Sequence, residues 1–151
     1  YLRIIAMLIV TTALVALANV MLAALPGVGG APLTLERMLG WIFSPLVWLL
    51  GVPWSQAGIA GGLMGIKLVL YELVAYLRLA AMPAGTLDPR STQIMVYALC
   101  GFANLGSVGI LVGGMSALIP ERRDEVAGLA LKALAAGTMA SALTGAMIGP
   151  L

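Results

Sequence analysis

Three polar side chains stand inside long apolar runs: Glu72 in GIKLVLYELVAYLRLA, and Asn104 and Ser107 in YALCGFANLGSVGI. A carboxylate at membrane depth is costly, about 2.5–3.5 kcal/mol even by insertion measurements for Asp, and marks a functional position by default. The structural alternative for Glu72 is an ion pair. Lys67 and Arg78, five and six residues away, are off the three- and four-residue spacings that bring helical side chains together. Ionised in a cavity, the two oxygens of Glu72 can accept from two neighbouring hydroxyls, a geometry that suits the vicinal diol of a sugar. Asn104 and Ser107 are three apart and share a face on helical geometry. Each donates and accepts, which suits a polar, uncharged ligand; the structural alternative is an interhelical hydrogen bond, worth about 0.6 kcal/mol on average.

The rest of the chain says what solvent surrounds these groups. Of 151 residues, 62% are hydrophobic and 9% charged, with 8 Lys+Arg against 6 Asp+Glu, and the mean hydropathy is +1.08. A soluble domain is about 25% charged, so the expected environment is a lipid bilayer, crossed more than once. No charge falls between Arg3 and Glu36, between Arg37 and Lys67, between Arg90 and Glu121, or after Lys132; each gap can hold the roughly 20 apolar residues of a span. Scattered basic residues give no phosphate-binding patch, so nucleic acid is not an expected partner. With no His and one Cys, the chain cannot by itself build a His/Cys metal site, a Ser-His-Asp triad or a disulfide framework. Cys100, in an apolar run, reads as a small buried hydrophobe. The chain begins at Tyr1 with no basic leader before the apolar run, and is read as a segment of something longer.

The elements that must position the polar groups follow from apolar runs and their breaks. Residues 1–25 read as a spanning helix ended by Pro26 and the glycines after it, with Thr11, Thr12 and Asn19 bonding back to the helix or packing. Residues 33–52, with Thr34 as a possible N-cap, Pro45, and two of the three Trp, predict an amphipathic helix in the interface; a short kinked span is the alternative. Residues 57–82 predict a re-entrant hairpin with Glu72 near its tip, where water or protein can cover non-helical backbone. Asp88-Pro89 marks a turn. Residues 91–119 are long enough to cross but are broken by CGFANLGSVG, whose glycines each lower helix propensity by roughly 1 kcal/mol. Residues 122–151 predict a last span, in which Gly137, Ser141, Gly145 and Gly149 form a smooth stripe for close helix packing. The fold class is an all-α membrane protein with spanning helices, an interfacial helix, a re-entrant hairpin and a discontinuous helix, as in one half of an inverted-repeat transporter.

GIKLVLYELVAYLRLA, YALCGFANLGSVGI and IPERRDEVAGLALKALAAGTMAS, in this order and with LTLERMLGWIFSPLVWLLGVPW before them, resemble the C-terminal half of a concentrative nucleoside transporter. The resemblance implies a homotrimeric, cation-coupled symporter in which a mobile domain carries nucleoside past a fixed scaffold. It places Glu72, Asn104 and Ser107 on the ribose and Phe102 beside the substrate, and gives residues 1–25 to the scaffold and trimer contact. No cofactor is implied. The coupling ion would be sodium or a proton, with most of its ligands outside this segment. The chain departs from the family pattern at Tyr71, where Asn is common, and at Leu105 and Gly106, where an aromatic residue and Ser are common. The alternative is a non-transporting membrane scaffold that associates through its glycine-rich helix faces. A membrane enzyme is the weakest reading, since no catalytic partner stands at a recognisable spacing from Glu72 or Cys100.

Overall fold

The computed structural model describes residues 2–24, 27 and 32–148. Every regular element among them is helical: α1 (Leu2–Ala23), α2 (Leu35–Leu49), α3 (Trp54–Val69), α4 (Glu72–Ala80), α5 (Pro89–Leu99), α6 (Leu105–Leu118), a 3-10 turn (Pro120–Arg122) and α7 (Arg123–Ile148). Among the described residues, Pro120–Ile148 is by itself long and apolar enough to cross a membrane. The expected stop at Pro26 and the position of Gly149 lie outside the described residues, as do the side chains of Thr11 and Thr12.

Thr34 starts α2, its hydroxyl accepting from the Arg37 N–H at 3.3 Å. Glu36 in the first turn of that helix is bound by Asn19 of α1: the Asn19 amide donates to both carboxylate oxygens at 3.1 Å, and its Oδ1 accepts from the Leu35 N–H at 2.8 Å. The expectation that Asn19 merely packs or bonds back to its own helix is therefore corrected. A neighbouring helix start offers it a charged acceptor and an unpaired N–H, both better partners than a carbonyl already in a helical bond.

α2 and α3 meet at an angle of 119° across Gly51, whose φ of +104° is a conformation that favours glycine. They touch through backbone. A methyl on Gly61 would lie 2.5 Å from the Gly40 carbonyl oxygen and 2.9 Å from the Ser44 nitrogen, and one on Gly65 would lie 2.5 Å from Leu39 Cβ. Pro45 stays inside α2.

α3 ends at Val69, two residues leave helical geometry, and α4 begins at Glu72. α5 is started by Asp88, whose carboxylate accepts from the Ser91 N–H, with Pro89 at its first position, where a missing N–H costs nothing. The glycine-rich stretch breaks the next run at residues 100–104, between α5 and α6. α7 then packs back on α5 through its small residues: a methyl on Gly145 would lie 2.7 Å from the Ile94 carbonyl oxygen and 2.9 Å from Ala98 Cβ. The core lies where α2, α3 and α5 converge, at Val47, Leu63, Met64, Ile94, Met95 and Leu99. Cys100 is exposed, which corrects the reading of a buried hydrophobe: it caps α5 at the break, where the chain leaves the face that buries Ala98 and Leu99.

Candidate functional site

Two chain breaks bring the polar residues together. Glu72 is the first residue of α4, just past the break in the hairpin. Asn104 is the N-cap of α6, just past the break in the discontinuous helix. The Asn104 amide Nδ2 donates to Glu72 Oε2 at 3.2 Å across that junction. Asn104 Oδ1 accepts from the Ser107 N–H at 2.7 Å, as a capping residue does, and from the Ser107 hydroxyl at 2.8 Å. The same hydroxyl lies 2.6 Å from the Phe102 carbonyl oxygen; having one proton, it serves one acceptor at a time. Hydroxyl, amide and carboxylate thus form one connected chain.

Asn104 is 1% exposed and held from both sides, while Glu72 and Ser107 are half-buried and can reach a ligand. The amide supplies the donor that orients the carboxylate, and Oε1 of Glu72 keeps its lone pairs for further donors. Among the described residues no ion pair within 4 Å joins Glu72 to a cation; Lys67, the partner weighed for it, interacts with it only at longer range. The N-termini of α4 and α6 both open on this place, and their positive ends favour electron-rich groups. Phe102, Asn104, Ser107, Val108, Leu134 and Gly137 are among the residues lining a cavity of about 610 Å³ between α6 and α7, a size that holds a small organic molecule. Phe102 is 81% exposed, its ring free to face whatever enters.

Lys67 is the polar residue whose role sequence reasoning missed. Weighed only as an ion-pair partner for Glu72, it is 1% exposed, and its ammonium donates to the Ala98 carbonyl oxygen at 2.8 Å and the Ser141 hydroxyl oxygen at 2.6 Å. Ala98 lies in the last turn of α5, where carbonyls lack helical partners and the dipole favours a cation. Ser141 turns its own proton to the Thr138 carbonyl at 3.0 Å, leaving a lone pair for the lysine. One side chain therefore ties α3 to α5, the first half of the broken helix, and to α7. The signal was available, since a lysine in an apolar run faces the same cost that marked Glu72.

Interrupted helices whose broken ends gather polar groups within an apolar bundle define a class, the membrane transporters with binding sites built at helix breaks. The pattern that describes the C-terminus of Na+-dependent nucleoside transporters matches residues 1–149. The nucleoside permease NupC of Helicobacter pylori is 43% identical over 121 residues, 78% of this chain and 29% of that protein. An inward-facing, substrate-bound structure of the transporter CNTnw superposes with a TM-score of 0.85 at 43% identity, covering 98% of this chain and 37% of that one. An intermediate-state structure of a CNTnw variant reaches 0.90 at 44%, with 98% and 37% covered. The chain belongs to the Na+-dependent, or concentrative, nucleoside transporter family, as its C-terminal half. It spans 28–36% of the length of the first curated relatives it matches.

Proposed function

We propose that this chain is the substrate-binding half of a cation-coupled nucleoside symporter. Glu72, Asn104 and Ser107 hold the ribose, and Phe102 packs against the substrate from the cavity side. The observation that supports this most directly is the Asn104–Glu72 hydrogen bond at 3.2 Å, which joins the two helix breaks and leaves the carboxylate's other oxygen available. A carboxylate and a neutral amide–hydroxyl pair together offer both acceptors and donors, as a vicinal diol requires. Sodium or a proton drives uptake from sites mostly contributed by the rest of the transporter, and the complete protein works as a homotrimer in the plasma (inner) membrane.

The glycine-rich faces on which a scaffold reading would rest are largely occupied within the chain. Gly61 and Gly65 meet α2, and Gly145 meets α5, so these positions serve internal packing. The deciding experiment is Glu72→Gln in the full-length transporter. The expected outcome is loss of nucleoside uptake with normal delivery to the membrane, because the amide keeps the shape but replaces one acceptor by a donor. Undiminished uptake would sink the assignment.

A further inference from the structure

Tyr71 stands between the two breaks. It precedes α4 in extended backbone, with φ −159° and ψ 157°, and its ring reaches across to the first turn of α6. A methyl placed on Gly106 would lie 2.8 Å from both Cε1 and the hydroxyl oxygen of Tyr71, and 3.2 Å from Asn104 Oδ1. The phenol and the Asn104 amide therefore border one small volume, and the ring occupies it only because residue 106 has no side chain. Tyr71 is half-buried, and among the described residues its hydroxyl takes part in no hydrogen bond and stays open to solvent, so it can both donate to and accept from a ligand.

We propose that Tyr71, seated on Gly106, contacts the substrate and sets its specificity: its hydroxyl bonds a hydroxyl of the bound nucleoside, and its ring walls the site beside Asn104. The proposal rests on the nucleoside reading of Glu72, Asn104 and Ser107. It makes Tyr71 and Gly106 a coupled pair. A side chain at 106 must push the ring aside, and the shift moves the hydroxyl away from its ligand.

The test uses uptake by the full-length protein, with membrane levels measured alongside, for a ribonucleoside and its 2′-, 3′- and 5′-deoxy analogues. Tyr71→Phe keeps the ring and removes the donor. It should raise KM for the ribonucleoside about 3- to 10-fold, the range for one lost neutral hydrogen bond, with maximal rate kept, and should leave one deoxy analogue unaffected. Gly106→Ala should raise KM similarly in the native background and add little in a Tyr71→Ala background, since coupled residues are not additive. An unchanged KM for Tyr71→Phe, an equal rise for all four substrates, or full additivity of Gly106→Ala with Tyr71→Ala overturns the proposal. If Tyr71→Phe does not reach the membrane, the Gly106→Ala and Tyr71→Ala cycle decides. Undiminished uptake by Glu72→Gln refutes the underlying reading, whereas its loss together with an unchanged Tyr71→Phe refutes this inference alone.

Discussion

At Asn104 one amide serves both the fold and the site, because its two ends face different partners. Oδ1 caps α6 through the Ser107 N–H at 2.7 Å, and Nδ2 donates to Glu72 at 3.2 Å. Asn104→Asp separates these roles. A carboxylate is as good an N-cap as an amide, so the cap is kept, and membrane levels measured alongside uptake separate the lost bond from the cost of burying a second carboxylate. The new carboxylate has no donor for Glu72 and places like charges side by side, so uptake should fall at least about tenfold, the equivalent of 1.4 kcal/mol; uptake near the native rate would show that the Asn104–Glu72 bond is not needed. The sequence made Glu72, Asn104 and Ser107 visible because each contradicts its apolar surroundings. It did not show that they touch, since the bond between Glu72 and Asn104 joins residues 32 apart, nor that Tyr71 and Gly106, read separately as departures from the family pattern, meet in space.

Elements are set by their ends and by how closely they approach. Among the glycines of α3, Gly61 is pressed against the Gly40 carbonyl and the Ser44 nitrogen, while nothing lies within 4 Å of a methyl on Gly58. Gly61→Ala should destabilise the protein by about 1–3 kcal/mol through overpacking against backbone that cannot move aside. Gly58→Ala should be neutral or stabilising by up to about 1 kcal/mol, through helix propensity. Thermal unfolding of the two purified variants distinguishes them, and equal effects would show that the α2–α3 contact is looser than described. Spacing alone put these glycines in one overlapping series, and only the partner helix makes one indispensable. At the start of α5, the backbone N–H of Ser91 holds the Asp88 carboxyl below its usual range. Because the native pKa is the lower one, its contribution is whole above the unfolded value of about 3.9 and is lost as pH falls from there through the native value. Asp88→Ala should therefore cost about 0.5–2 kcal/mol at neutral pH, and the gap between the two melting temperatures should close on acidification. A gap that stays constant down to pH values well below the native pKa would remove the charge from the explanation. The Asp-Pro pair announced this cap in the sequence, because both residues act on neighbouring backbone.

On the scale of the whole molecule, the described part of α1 shows how much surface awaits a partner. Ile9, Val10, Leu14, Leu17, Val20 and Met21 are all exposed, as are Leu131, Met139, Leu143 and Met147 of α7. Such surface needs lipid or protein over it, and the trimer proposed above would cover part of it. Light scattering on the detergent-purified full-length protein should return three protomers, and a monomeric mass would remove the trimer proposed above. By itself the sequence determined the solvent, the helical class and the breaks, because apolar run length, proline, glycine and capping residues act over a few positions along the chain. It also marked the polar groups of the candidate site, because each is costly in that solvent. Tertiary structure alone decided their partners. Asn19 went to Glu36 and the start of α2, Lys67 to the end of α5 and to Ser141, Asn104 to Glu72, and the tyrosine ring to the space over Gly106. Hydrogen bonds and close contacts form between whatever the packing of helices brings within reach, and that distance is not written in sequence separation.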